Sequence, residues 1–484
     1  MTLGFRHRAE LFIGGTWVPP RSTTTIEVVE AHSEQVIGAV PDAGPADVDA
    51  AVSAARDAFD RSDWSRATVE ERIPAVQRLI DEFTHRAEEM AQTISSENGA
   101  PIKFSRLGQV GAPLDIMASS IEVAAATMWE ERRTGRYLDY LLRREPVGVV
   151  GAVVAWNVPQ VLIAVKLAPA LLAGCTVVVK AAPEASLDAM VLAEVIDAAG
   201  LPRGTVSVLT GGVDAGRALV AHAGVDKVAF TGSTAAGREI GARCGADLRR
   251  CSLELGGKSA AILLDDADLA SAAAALRFTS FVNNGQACAA QTRILAPRSR
   301  YAEAVDAIGS LTASLTVGDP HDPDVKVGPL VSRRQRDRVR DYIDAGIGGG
   351  ARLVTGGPEA PDGLPTGWFI RPTVFADVDN GMSIAQEEIF GPVLCVIPYD
   401  DDADAVRLAN DSCYGLAGSV FTADPERGLA VARSVRTGTF GINGYAPDPL
   451  APFGGFKESG IGREWGQYGL DEYVEIKAVN GLPS

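Results

Sequence analysis

The sequence predicts an α/β fold made of two successive β/α series, the first around a parallel, doubly wound sheet, with a small extra sheet beside them. Three observations carry this. From residue 147 onward, short apolar strands alternate with helices, which calls for parallel strands joined by crossovers. After Gly256-Gly257-Lys258 the alternation begins again, so a domain boundary is expected near 255–258. Residues 136–144 and 473–479 read as strands, the first with no obvious hairpin partner nearby; they pair in a small separate sheet or each edges the nearest domain. A chain of 484 residues exceeds what one core fills, so two or three domains are expected.

In chain order, 11–40 reads as short strands with turns, beginning with 11–13 and 16–18 around Gly14-Gly15. Residues 47–96 are helical, because Val48, Val52, Ala55, Phe59 and then Ile73, Val76, Leu79, Ile80, Phe83 recur at helical spacing, with Asp47 near an N-cap. A further helical region covers 107–129. The first β/α series runs strand 147–154, helix 159–172, strand 176–180, helix 187–199, strand 206–209, helix 214–222, strand 228–230 and a helix to about 242. The second holds strand 260–264, helix 269–281, strand 292–295, helix 334–344, turn-rich 346–367, then 390–399, helix 403–410 and strand 418–421. Residues 161–179 imitate a membrane span, but Lys166, Pro169 and Gly174 break the run and Val177-Val178-Val179 ends it; a buried helix and a buried strand fit better.

Composition narrows the function. A formal charge of -17 argues against nucleic-acid and membrane partners and suits a cytoplasmic protein. Six cysteines, at 175, 244, 251, 288, 395 and 413, make no C-x-x-C pair and suggest no disulfide framework, which points to a reducing compartment. Five scattered histidines with no H-x-x-x-H pair give no reason to expect a metal. The opening residues carry Arg6, His7 and Arg8 with no apolar stretch behind them, unlike a signal peptide.

Several stretches carry candidate chemistry. Cys288 lies between the Asn283-Asn284-Gly285 breaker and strand 292–295, among small residues, where a thiol is reachable while its backbone is held. Alone, any one cysteine is more often a small core residue; Cys251 and Cys395 lie in apolar runs and read as buried. Glu254 ends an apolar strand, where lost hydration raises a carboxyl pKa and suits a general base; a salt-bridged Glu is the other reading. Asn157 follows the first buried strand and either donates to an oxyanion or caps the next helix. Phe230-Thr231-Gly232-Ser233-Thr234 joins strand to helix, where backbone N–H groups bind phosphate, although Thr234 stands where the dinucleotide fingerprint has Gly and a plain tight turn is as good an account. Lys180 and Glu184 follow the next strand, at the edge where a nucleotide ribose sits.

Taken together and in order, these stretches resemble the aldehyde dehydrogenase superfamily nearly end to end. The matching runs are Trp156-Asn157-Val158-Pro159, 180–184, 230–234, Leu253-Glu254-Leu255-Gly256-Gly257-Lys258, Gly285-Gln286-Ala287-Cys288, Glu387-Glu388-Ile389-Phe390-Gly391-Pro392, 452–460 and Gly462-Arg463-Glu464. The resemblance implies a Rossmann-like cofactor domain over 1–127 and 147–255 and a catalytic domain over 256–466. It also implies oligomerisation strands within 128–146 and 467–484, which serve a homodimer or homotetramer. It implies Cys288 as nucleophile, Glu254 as general base and Asn157 as oxyanion donor, supported by Lys166 and Glu464. NAD contacts fall on Ala155, Trp156, Lys180, Glu184, Gly212, Gly216, Phe230, Thr231, Gly232, Ser233, Leu255, Glu388 and Phe390. Tunnel positions fall on Val158, Val161, Leu162 and Val165, with Tyr445 and Phe453 opposite. Ala155 and Ala181 stand where the family usually has Pro.

What the resemblance implies chemically is oxidation of an aldehyde to an acid through a thiohemiacetal and a thioester on Cys288. Glu254 favours hydrolysis over transfer to coenzyme A, and Glu184 favours NAD over NADP. The aliphatic tunnel positions favour apolar aldehydes. The alternatives are a coenzyme A-acylating semialdehyde dehydrogenase, a redox-inactive thioesterase-like enzyme and a binding protein on the same scaffold.

Overall fold

The computed structural model describes residues 8–481; residues 1–7, including Arg6 and His7, and 482–484 lie outside the described residues. Five strands, Val149–Val153, Thr176–Ala181, Val206–Thr210, Lys227–Thr231 and Arg250–Glu254, are parallel and stand in the spatial order third, second, first, fourth, fifth. Helices Pro159–Ala173, Ser186–Ala198, Val213–Ala221 and Thr234–Ala246 connect them. The order reverses between Val149–Val153 and Lys227–Thr231, which opens a crevice beyond the carboxyl ends of those two strands. Leu11–Ile13 and Thr16–Val18 extend one edge antiparallel, and Gly460–Ile461 extends the other by pairing with Arg250–Glu254.

Strand alternation sends Val177 and Val179 to one face of this sheet and Val178 to the other. The first face packs Trp64, Leu79, Met90, Ile94, Leu167 and Leu171; the second packs Val48, Val52, Leu219 and Ile240. Each fully buried aliphatic side chain contributes about 1.5–3 kcal/mol. Helix Pro159–Ala173 lies between the first face and the outer helices and is buried along its length except at Val161, which explains why its apolar run imitates a membrane span. Among the described residues no helix is long and apolar enough to cross a membrane.

A second sheet of seven strands runs Arg352–Thr355, Thr373–Ala376, Val393–Tyr399, Gln291–Pro297, Ser259–Leu263, Gly418–Phe421 and Gly441–Ile442, all parallel except the first pair. The third sheet is small. Val474–Asn480 pairs antiparallel with Tyr140–Pro146 over seven residues, from Val474 opposite Pro146 to Asn480 opposite Tyr140.

Local chemistry departs from expectation at several points. The segment around 133–144 does have a hairpin partner, Glu130–Arg133, which pairs with Tyr140–Pro146. Charged side chains on both strands hid it, because ion pairs such as Arg143–Glu130 replace an apolar face. The helical region 47–96 is three helices, Pro45–Arg61, Val69–His85 and Ala87–Asn98. Gly44 is the first N-cap, and Asp47 stands three residues in, accepting from the Gly44 N–H at 2.9 Å. Region 107–129 splits into a π-helical turn, Ser105–Gly111, and helix Ala112–Ala126. The turn-rich stretch 346–367 contains strand Arg352–Thr355. Cys395 is fully buried, but Cys251 is half-buried, because its strand lies one place from the sheet edge.

One buried cation ties the second unit together. Arg293, 2% exposed, donates to the carbonyls of Lys258, Leu408 and Ala409 at 2.9 Å and to Asn380 Oδ1 at 3.1 Å. Arg293→Met leaves these acceptors without a donor, at about 1–3 kcal/mol for each buried group left unsatisfied. The expected outcome is a markedly lower urea midpoint at fixed protein concentration; an unchanged midpoint contradicts this role.

Candidate active site

The loop that carries Cys288 is held by its own polar residues. After helix Leu269–Ser280 the chain makes a 3-10 turn, Val282–Gly285, in which Asn283, Asn284 and Gly285 all take positive φ (51°, 62° and 74°). Asparagine tolerates this region better than most residues with a side chain. At 285 only glycine fits, since a Cβ there would run into the backbone of Gly391. Asn284, fully buried, donates to the carbonyls of Gly99 (2.9 Å) and Pro329 (2.8 Å) and accepts from the Gly328 N–H (2.6 Å). Gln286 Oε1 accepts from the Val331 N–H at 3.1 Å. Cys288 follows as a half-buried free thiol, its carbonyl oxygen packed against Gly257 so closely that a Cβ at 257 would collide with it. The joint 255–258 therefore passes directly beneath the cysteine.

Two other sequence-selected residues meet it there. Asn157 is 4% exposed and donates through Nδ2 to the Gln286 carbonyl at 3.1 Å. The N-cap of the following helix is Val158, so Asn157 is not the cap. Glu254 is also 4% exposed, and among the described residues neither carboxylate oxygen has a hydrogen-bond partner, which removes the salt-bridge reading. Burial, reinforced by the nearby Glu464 charge, holds its pKa well above the usual carboxylate range against the pull of Lys166 and Arg463. Burial likewise pushes the Cys288 thiol up to about 12, with Glu388, Glu254 and Glu464 adding to the shift. Lys166 Nζ donates to Thr231 Oγ1 at 2.7 Å and to Glu464 Oε1 at 2.6 Å, all within the core. Glu464 is set by a two-way backbone bridge to Phe453 (2.7 and 2.8 Å).

Several of the cofactor candidates follow the two strands that flank the strand-order reversal. Ala155 and Trp156 lie just past Val149–Val153, and Gly232 and Ser233 just past Lys227–Thr231. Ser233 caps the 13-residue helix Thr234–Ala246, its Oγ accepting from the Ala236 N–H at 3.3 Å. Phe230 is buried and Leu255 donates its N–H to the Ser459 carbonyl at 2.9 Å. At the far end Gly216 backs onto the Lys180 side chain, and the Gly212 N–H donates to Asp42 Oδ1 at 3.0 Å. Burial lowers the Lys180 pKa to about 8, opposed by Glu184 and Asp42. Glu184 is paired with Arg334 at 3.0 Å. At the near end Glu388 Oε1 accepts from the Gly257 N–H at 2.9 Å, and burial raises that carboxyl to about 7. Phe390, at φ 65°, sets its ring edge-on to Trp156, centroids 5.3 Å apart.

The tunnel candidates separate by burial. Val158 and Val161 are half-buried, whereas Leu162 and Val165 are buried in the core of the first sheet. Tyr445 bonds Thr439 through its hydroxyl at 2.9 Å, and burial with the Cys288 charge raises its pKa to about 12. Phe453 packs on Trp465, centroids 4.9 Å apart. Sequence reasoning gave no site role to Asp42, Asn98, Gln109 or Arg334, and read Asn283 and Asn284 only as a helix breaker.

The Aldehyde dehydrogenase family model matches residues 17–479. Geranial dehydrogenase from Castellaniella defragrans is 45% identical over 482 residues, 99% of each chain. The 3-succinoylsemialdehyde-pyridine dehydrogenase from a Pseudomonas species is 42% identical over 479 residues, 98% of this chain and 99% of that one. A Mycobacterium tuberculosis aldehyde dehydrogenase complexed with NAD+ superposes with a TM-score of 0.97 at 49% identity, covering 99% of this chain and 98% of that one. A variant of aldehyde dehydrogenase C from Pseudomonas syringae, complexed with NAD+ and octanal, gives 0.95 at 40% identity with 98% of each chain covered. With the family's fold, its motifs in order and this likeness along the whole chain, the protein belongs to the aldehyde dehydrogenase family.

Proposed function

We propose that this protein oxidises an apolar aldehyde to the carboxylic acid, with NAD as hydride acceptor, through a covalent thioester on Cys288 that Glu254 helps to hydrolyse. The observation that carries this reading is the buried carboxylate of Glu254, without a hydrogen-bond partner among the described residues and close enough to bear on the Cys288 thiol. Cys288 loses its proton to solvent and attacks the aldehyde carbon as the thiolate, and the carbonyl π pair moves onto oxygen as the S–C bond forms. Asn157 Nδ2 spends one hydrogen on the Gln286 carbonyl, which orients the amide and frees the other for the developing oxyanion. NAD, when bound, supplies the hydride acceptor that side chains lack. Glu254 then takes a proton from the water that cleaves the thioester, and the Glu464–Lys166–Thr231 chain holds charge next to it. A competent base argues against the acylating alternative.

The residues present suit the cofactor. Gly232 and Ser233, at the positive end of a helix, suit a pyrophosphate. Lys180 and Glu184 suit the adenosine ribose, and Glu388, held through Oε1 by the Gly257 N–H, suits the second ribose. A carboxylate at 184 accepts from two ribose hydroxyls and repels a 2′-phosphate, which favours NAD over NADP. Its partner Arg334 is 84% exposed, and such surface pairs contribute only about 0–1 kcal/mol, so a ribose can displace it. The half-buried valines 158 and 161 give an apolar approach. Relatives named for geranial or captured with octanal support an apolar substrate. The domain division at 255–258, a homo-oligomer joined through the three-stranded sheet and a cytoplasmic location remain part of this reading; Ile476 and Val479 stand exposed on that sheet.

Cys288→Ala should abolish NADH formation while NAD still binds. Glu254→Gln should keep a first burst of about one NADH per site, then turn over roughly 10²–10⁴-fold more slowly; normal steady-state turnover in either variant refutes the roles. Because the thiol pKa is raised, the cofactor-free enzyme holds Cys288 neutral at pH 7. Inactivation by iodoacetamide should therefore quicken about tenfold per pH unit from 7 to 9, and a plateau near pH 7 contradicts the shift. Catalytic efficiency should be higher with NAD than with NADP, and Glu184→Gln should narrow the gap; equal use of both by the wild type counts against Glu184.

A further inference from the structure

Three side-chain amides converge on one backbone oxygen behind the proposed oxyanion site. The Asn157 carbonyl accepts from Asn283 Nδ2 at 2.7 Å, Gln109 Nε2 at 2.9 Å and Asn98 Nδ2 at 3.3 Å. Asn98 also donates to the neighbouring Trp156 carbonyl at 2.5 Å. Asn98 and Gln109 are fully buried and Asn283 is 2% exposed. One donor satisfies a buried carbonyl, and two fill its lone pairs. The third goes beyond what solvation of that peptide requires.

The donors come from three separate places: the end of helix Ala87–Asn98, the π-helical turn Ser105–Gly111 and the cysteine loop. A π turn is rare and recurs at functional sites; this one leaves Leu107 77% exposed and turns Gln109 wholly inward. The arrangement is costly. Asn98 Oδ1, Gln109 Oε1 and Asn283 Oδ1 are each buried with no hydrogen-bond partner among the described residues, and apolar side chains would fill the same space without that desolvation. Asn283 reaches further, donating to the Gln286 carbonyl at 3.3 Å, the acceptor that also holds Asn157 Nδ2 at 3.1 Å.

We infer that Asn98, Gln109 and Asn283 are positioning residues for the oxyanion site: they lock the Asn157 peptide, and through it the side-chain amide, at a set distance from Cys288. The inference rests on the oxyanion role proposed for Asn157. Its test is a double-mutant cycle between Gln109→Met, which keeps length and removes the donor, and Asn157→Ala. In the wild-type background Gln109→Met should lower kcat about 10- to 100-fold, as for a misplaced catalytic group, with KM for NAD and the thermal midpoint unchanged. In the Asn157→Ala background the same substitution should cost less than about twofold, because its target is gone. An unchanged kcat, or the same loss in both backgrounds, overturns the inference. If Gln109→Met does not fold, Asn98→Leu removes a different donor from the same carbonyl and carries the same cycle. A wild-type protein that oxidises no aldehyde defeats the parent reading; an active wild type with additive losses defeats only this one.

Discussion

Everything at the site depends on how closely two sheets approach at 256–257. The strand Arg250–Glu254 ends the first parallel series and Ser259–Leu263 opens the second, so four residues carry the chain from one layer to the other. A Cβ at 256 would sit 2.6 Å from the Glu388 carboxylate, and one at 257 would overlap the Cys288 carbonyl. Without side chains, this backbone lies between the cysteine loop and the Glu388 loop and donates a hydrogen bond to the latter. Cys288, Glu254 and Glu388 are thus gathered by steric permission at two positions rather than by direct attraction among themselves.

That gathering concentrates negative charge where water is scarce. Glu254, Glu388 and Glu464 all bear on the Cys288 thiol, and Lys166 is bound by Glu464. Two carboxyls there, Glu254 and Glu388, have raised pKa values, chiefly from burial. Carboxyls with raised pKa values suit a reaction that generates an oxyanion and moves protons. A buried ion pair such as Lys166–Glu464 adds little net stability, since desolvation offsets attraction. Its value is better read in the fixed position of Glu464 beside Glu254.

Much of this was legible along the chain. The β/α alternation, the lone strands and the order of the glycine-flanked motifs are one-dimensional signals, because strand burial and turn chemistry leave marks within a few residues. Cys288, Glu254 and Asn157 could each be picked out, yet each kept a bland alternative until a partner, or the lack of one, was visible. Hairpin Glu130–Arg133 with Tyr140–Pro146 escaped because cross-strand ion pairs leave no apolar alternation. The π turn escaped because a single inserted residue barely disturbs helical periodicity.

The sequence by itself determined the fold class, the chemical types at the site and their order, since local backbone preferences and burial periodicity are encoded in neighbours. Only the tertiary structure decided that Glu254 is unpaired, that Asn157 is not a helix cap, and that Asn98, Gln109 and Asn283 share one acceptor. Those are statements about contacts between residues up to 126 positions apart, or about their absence, and they arise only when the layers close over a buried interior.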